Sequence, residues 1–200
     1  MEEFFNNVYE NNYWGNNNNN EYNGSSGGGS FMEFNIDTYV PFLKKFIVDN
    51  NIKNVVDLGC GDFICGNVIY DDLNITYTGY DTYKKIIDHH LNHFQSSKYS
   101  FIHLDFFNKK EHIMGGDLCI LKDVLQHWEI HEIYTFLDFL IETKLFKYIL
   151  ISNCCFQILD DPINHDRFTP LSVHFFPLKK YNPIKLFNYH TKEVSVISLI

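Results

Sequence analysis

The sequence predicts an α/β fold: a doubly wound, mostly parallel seven-stranded sheet with helices on both faces and a C-terminal antiparallel hairpin. Three observations carry this expectation. Apolar, β-rich runs alternate with helical stretches, the spacing of about a dozen residues that a parallel crossover requires. The first run breaks into a glycine turn at Gly59-Cys60-Gly61. The first three runs end at or near aspartates, Asp57, Asp81 and Asp105, at successive spacings of 24 residues. A sheet built from such units gathers ligands at the carboxyl ends of its strands, so the three carboxylates are expected to line one crevice.

In chain order, residues 1–30 form a low-complexity segment: Asn16 to Asn20 is homopolymeric and Gly24-Ser25-Ser26-Gly27-Gly28-Gly29-Ser30 follows. Such composition holds little core material and reads as a flexible tail. Residues 31–200 are read as one domain. Phe34, Tyr39, Phe42, Leu43 and Phe46 fall near helical spacing and Asn50-Asn51 closes that helix. The first strand runs into Val55-Val56-Asp57-Leu58-Gly59-Cys60-Gly61-Asp62-Phe63, the second ends Tyr77-Thr78-Gly79-Tyr80-Asp81 and the third ends Tyr99-Ser100-Phe101-Ile102-His103-Leu104-Asp105. Residues 117–122 and 147–153 supply two more strands. The amphipathic stretch 130–143 lies between them, with Ile133, Phe136, Leu137, Leu140 and Ile141 on one face. Residues 184–189 and 193–200 flank His190-Thr191-Lys192 as a hairpin. The irregular stretch 155–183 is too long for an idle connection and is read as a substrate-facing insertion.

A chain of 200 residues is long enough to bury about 70% of its unfolded surface in one core. The net charge of -9, with Arg167 as the only arginine, opposes free nucleic acid as a partner, since phosphates are neutralised by clustered Lys and Arg. Cys60, Cys65, Cys119, Cys154 and Cys155 are odd in number, lack metal-ligand spacing and follow no signal peptide, which implies a reducing, cytoplasmic setting. No apolar run reaches the roughly 18 residues of a membrane span. The absence of alanine and the heavy use of Asn, Ile, Tyr and Phe resemble proteins of very AT-rich genomes.

Residues 55–61 resemble the first motif of class I S-adenosylmethionine-dependent methyltransferases, Asp81 the family's ribose-binding acid, and Asp105 the residue before its adenine pocket. Lys122-Asp123-Val124-Leu125-Gln126-His127-Trp128 resembles the fourth-strand end of a small-methyltransferase group. That group often carries a Tyr-Trp pair and a Gly-Ser-rich segment upstream, as do Tyr13-Trp14 and residues 24–30 here. The resemblance implies S-adenosyl-L-methionine as cofactor and a lid over the cofactor mouth formed by residues 22–30, with residues 1–12 left as the tail that composition gives; the methyl acceptor is unidentified, and acidity points to a small molecule or a protein while leaving a capped end or a nucleotide open. The resemblance also implies the cofactor-binding set Asp57, Gly59, Cys60, Gly61, Asp62, Asp81, Asp105, Phe106 and Lys122.

The chemistry suits those residues. Ionised carboxylates accept strongly and offer two oxygens to a diol, so Asp81 is matched to the ribose. Asp105 accepts from the adenine amino group and Phe106 flanks the ring. Gly59 and Gly61 admit the methionine portion, while Asp57 or Asp62 meets its ammonium. Displacement at a methyl carbon needs alignment and, for some acceptors, removal of a proton. His127 is the candidate general base and Asp123 orients it or the substrate.

Other readings stay open. A strand-end aspartate also serves as a helix cap, and His127 also reads as a residue packed over the cofactor. The turn carries Phe63 where a third glycine is common, and Gly66 comes later. It also lacks the last glycine of a dinucleotide fingerprint, although an acid at Asp81 suits NAD as well. His89 and His93, like His127 and His131, have helical ligand spacing without a third ligand, so no metal is expected. Residues 170–173 loosely resemble a family segment reading Arg-Pro-Leu-Asp-Leu, with Thr169 in place of its arginine and Arg167 nearby. A noncatalytic binding module with this fold is the main alternative.

Overall fold

The computed structural model describes residues 1–16, 22–155 and 168–200. Asn54–Leu58 (β1), Thr76–Asp81 (β2), Tyr99–His103 (β3), Gly116–Lys122 (β4), Phe146–Cys154 (β5), Ile184–Tyr189 (β6) and Lys192–Ser198 (β7) form one seven-stranded sheet in the order β3-β2-β1-β4-β5-β7-β6. The α/β class, the mostly parallel sheet and the antiparallel hairpin are those expected. Two compact units divide the chain, Met1–Met114 and Gly115–Ile200.

In the first unit β1, β2 and β3 pair in parallel, with Asp57 opposite Gly79 and Asp81 opposite His103. Among the described residues five α-helices accompany them: Glu2–Glu10 (α1), Met32–Asn35 (α2), Tyr39–Asp49 (α3), Gly66–Tyr70 (α4) and Lys84–His93 (α5). On α3 the buried residues Tyr39, Val40, Leu43 and Ile47 form one stripe. The single helix expected after residue 31 is two, and Pro41 is the reason. It has no N–H to give a preceding turn, and its ring clashes with the carbonyl four residues back, so it is tolerated only in the first turn of a new helix. Asn35 closes the earlier turn by donating from Nδ2 to the carbonyls of Phe31 (2.7 Å) and Gly29 (2.9 Å).

Residues 1–12 are a second correction. They are not a plain tail: α1 buries Val8 and Tyr9 and carries Glu2 and Glu3 in its first turn, where the helix dipole favours negative charge. Composition masked this, because the apolar residues are few but share a face. The asparagine run falls mostly outside the described residues.

In the second unit β4 and β5 are parallel, β5 pairs antiparallel with β7, and β7 with β6. Ile130–Thr143 (α6) has the expected span and buries Ile133, Phe136, Leu137 and Leu140. A capping box starts it, with the Glu129 N–H donating to Glu132 Oε2 at 2.9 Å, and Lys144 at φ +50 ends it. Positive φ at His190 (+48) turns the chain between β6 and β7. Within the expected insertion, the Thr169 N–H donates to the Gln126 carbonyl (2.7 Å), the Leu171 N–H to that of Cys154 (2.8 Å) and the Val173 N–H to Glu193 Oε1 (2.7 Å). This pins residues 169–173 to the ends of β4, β5 and β7; Asp166 and Arg167 lie outside the described residues. Among the described residues no helix is long and apolar enough to cross a membrane.

Candidate functional site

Beyond β1 the chain turns with Gly59 at φ +90 and Gly61 at φ +53, conformations that a side chain disfavours. The turn is stitched to the tip of β2. The N–H groups of Gly59 and Cys60 donate to the Tyr80 carbonyl (2.8 and 2.9 Å), and the Gly61 N–H donates to Asp81 Oδ2 (3.0 Å). The other Asp81 oxygen receives the Tyr83 N–H at 2.9 Å. Asp81 is buried, and burial pushes its carboxyl up despite the opposing N–H donors of Tyr83, Gly61 and Thr82. From α5, His90 Nε2 meets the Gly61 carbonyl at 2.7 Å. Burial drives that imidazole down to about 4, so it is neutral near pH 7 and Nε2–H is the donor. His90 is a pinning residue the motif does not reveal; in sequence it sits inside a His-rich run. Its neighbours His89 and His93 stack on each other at 4.1 Å, with His93 Nδ1 turned to the His89 carbonyl (2.9 Å).

Phe63, at φ +55, points away from the turn into an aromatic cluster with Tyr77 (4.9 Å), Phe94 (5.0 Å), Phe101 (5.1 Å) and Tyr99 (5.6 Å). Asp57 belongs to that side as well: its Oδ2 accepts from the Tyr77 hydroxyl at 2.9 Å. Asp57 sits within β1 rather than at its tip; its register partner is Gly79, so it shares a face of the sheet with Tyr77 and Asp81. Cys60 is buried, its thiol pushed up by burial and then by Asp81 and Asp57.

The remaining acids meet the N-terminal arm. Asp62 Oδ2 accepts from the Ser30 hydroxyl (2.7 Å) and the Ser26 N–H (3.3 Å), and the Asp62 N–H donates to Ser26 Oγ (2.8 Å). Asp105, beside the buried Phe106, accepts from Asn108 Nδ2 (2.8 Å) and the Glu2 N–H (3.2 Å) at Oδ2 and from the Asn108 N–H (3.2 Å) at Oδ1. Burial opposes its charge, but these donors and the terminal ammonium hold it below the usual carboxylate range. The Tyr9 ring stacks on Tyr83 at 4.5 Å and 8°, and the two hydroxyls reach Ser26 Oγ (2.8 Å) and Glu10 Oε1 (2.9 Å). Sequence alone does not mark Tyr9 or Tyr83; Ser26 falls in the segment read as a lid, without a role of its own.

These groups are of the kinds an adenosyl ligand needs: a strand-tip acid, left-handed glycines and an aromatic face. Room is the harder condition. A β-carbon built on Gly61 would lie 2.5 Å from Ser26 Oγ and 3.8 Å from the Tyr9 hydroxyl, so the arm fills the space that the glycine opens. The residues fit the group with the arm withdrawn, not with it seated as here.

In the second unit β4 ends at Lys122, and Asp123 follows at φ +60. Asp123 pairs with Lys122 (3.1 Å) and, very closely, with Lys192 at the start of β7, whose side chain is only 3% exposed. Burial works against the Asp123 charge, and the two ammoniums hold it below the usual range. Lys192 also approaches Cys154 Sγ (3.8 Å), and the buried Tyr189 hydroxyl, pushed up to about 12 chiefly by burial, lies 3.4 Å from Ser152 Oγ. Asp123 therefore has, besides its neighbour Lys122, a buried lysine partner in Lys192 that the motif does not contain. His127, in the turn Leu125–His127, is buried with Nε2 3.3 Å from Gln126 Nε2 and its ring 6.0 Å from that of Phe168. Gln126 Oε1 accepts the Cys154 N–H at 2.8 Å, tying that turn to the end of β5.

No protein-family model matches the sequence, and no curated protein does. Solved structures do. The methyltransferase domain of bacterial CtHen1 superposes with a TM-score of 0.61 at 15% identity over 80% of this chain and 97% of that one. Magnesium protoporphyrin IX methyltransferase from Synechocystis PCC 6803 with bound SAH gives 0.59 at 16% identity over 78% and 80%. The 16S rRNA methylase ArmA gives 0.56 at 16% over 84% and 85%. With this sheet order and these neighbours, the chain has the fold of the class I methyltransferases.

Proposed function

We propose that the chain is a methyltransferase that uses S-adenosylmethionine. The observation that carries the reading is the junction of β1 and β2: a left-handed glycine turn whose Gly61 N–H is fixed on the β2-tip carboxylate of Asp81. The solved structures of like fold, two of them described with bound SAH, support it. In this reading Asp81 takes the ribose hydroxyls, Asp105 and Phe106 the adenine, and Gly59, Cys60, Gly61, Asp62 and Asp57 the methionine side. When bound, the sulfonium supplies an activated methyl group. The chain aligns the acceptor and, where the acceptor carries a proton, His127 removes it. Asp123 orients the acceptor through its lysine pairs. The acceptor class stays as the charge implies, a small molecule or a protein rather than free nucleic acid.

Titration calorimetry with S-adenosylhomocysteine tests the donor site directly. Folded protein that takes up no ligand at high micromolar concentration ends the reading. Asp81→Asn should weaken binding by about 1.5–3 kcal/mol, the worth of charged hydrogen bonds. A second reading, a binding module without turnover, is favoured by the arm over Gly61. Methyl transfer to any acceptor that is lost in His127→Ala excludes it.

A further inference from the structure

We propose that the N-terminal arm is a self-ligand of the donor site. The Tyr9 ring holds the face of Tyr83 on which the planar base of a nucleoside would stack, and a nucleoside-bearing donor enters by exchanging with it. The proposal rests on the methyltransferase reading above.

The geometry is that of one planar ring standing where another would lie. Tyr9 and Tyr83 are parallel within 8° at 4.5 Å, the offset-stacked arrangement that any flat heterocycle also satisfies. Tyr83 is two residues beyond Asp81 and gives that carboxylate its own N–H, so ring face and ribose acceptor are one local unit. Below the ring, Ser26 Oγ fills the opening over Gly61. Farther along, Asp105 Oδ2 already takes the Glu2 and Asn108 donors, which occupies the lone pairs an adenine amino group would use. The arm thus meets the base face with Tyr9, the opening over Gly61 with Ser26 and one side of Asp105 with the Glu2 N–H.

It is also built to leave. Its described residues bury Val8, Tyr9 and Tyr22 as apolar anchors, and its polar hold on the body includes the exposed pair of Glu10 with Lys85 (2.7 Å). Segments with few buried apolar contacts open locally at low cost. Gly27-Gly28-Gly29 supplies the joint: Gly27 sits at φ +80, and a side chain at Gly28 would meet nothing within 4 Å. Gly24, by contrast, is moulded to Tyr9, since a β-carbon there would come within 2.6 Å of the Tyr9 carbonyl oxygen. The closed form is therefore shaped, not incidental.

Calorimetry of the full chain with S-adenosylhomocysteine reads the exchange. If the closed arm outweighs the open one by about ten to one, Tyr9→Ala tightens binding about tenfold, because the masked fraction is restored. Tyr9→Phe, which keeps the ring and loses the Ser26 bond, falls between. Trp14, 6.0 Å from the Tyr9 ring and 5.9 Å from Phe5, reports on the wild type itself: its emission shifts red on saturation, and Trp14→Phe abolishes the shift. Circular dichroism confirms that each variant is folded, and the wild-type Trp14 signal decides the matter if Tyr9→Ala is not. Wild-type binding that weakens or holds constant in Tyr9→Ala, or an unmoved Trp14 at saturation, overturns the exchange and leaves the donor site standing. Failure of every folded variant to bind overturns both.

Discussion

The ring of Phe63 occupies the volume that a side chain at Gly66 would need: a β-carbon built on Gly66 would overlap Cε2, Cδ2 and Cζ of Phe63. The departure from a three-glycine motif is thereby explained. The glycine is displaced along the chain because the residue it makes room for is now an aromatic one.

Gly66→Ala should destabilise the first unit by at least about 1–3 kcal/mol, since the ring is hemmed in by its own cluster and cannot yield. Phe63→Ala should cost about 3–5 kcal/mol by opening a cavity. The double variant should cost clearly less than the sum. Urea unfolding of the four proteins measures the coupling, and additive costs would separate the two residues.

His90 makes stability rise with pH. Its folded value near 4 lies below the ordinary 6.5, so the unfolded chain binds the extra proton between those values. The contribution is full above the unfolded value and is lost as pH falls toward 4. Between pH 8 and pH 5 the loss should be about 2 kcal/mol. His90→Gln, which keeps a donor for the Gly61 carbonyl, should flatten the difference in chemical denaturation at the two pH values.

Breaking the Asp123 cluster from one side should be costly. Asp123→Asn leaves the buried Lys192 without its carboxylate and should destabilise by about 3–5 kcal/mol. Combining it with Lys192→Met should recover most of that, as thermal melts would show. Because Asp123 is held below its ordinary range, its contribution is present above about pH 4 and fades as the pH falls through its depressed value.

Removing the capping box is a local test of α6. Glu132→Ala takes away the acceptor of the Glu129 N–H and should cost about 0.5–2 kcal/mol. A melt unchanged from wild type would show that water replaces that acceptor without loss.

The strand runs, α6 and the hairpin were legible because period and turn chemistry act over a few residues: Ile133, Phe136, Leu137 and Leu140 announce their face, and Gly59 and Gly61 their turn. Asp81 was legible as a strand tip. What escaped depends on groups far apart in sequence. Nothing near Tyr9 tells that it stacks on Tyr83, and nothing near Asp123 tells that Lys192 neutralises it. Asp57 shares the aspartate spacing, and nothing near it tells that its carboxylate accepts from the Tyr77 hydroxyl twenty residues on. Pro41 carried a boundary signal in plain view, outweighed in the reading by the spacing of aromatic residues on either side.

The order of β5, β7 and β6 sets a schedule for synthesis. β7 is made after both strands it lies between. Until it leaves the ribosome, β5 shows a bare edge and β6 has no partner in its own unit, which makes the nascent chain a template for sticking to its copies. Slow translation of the stretch before Lys192 would prolong that exposure, and a chaperone would have its work to do there.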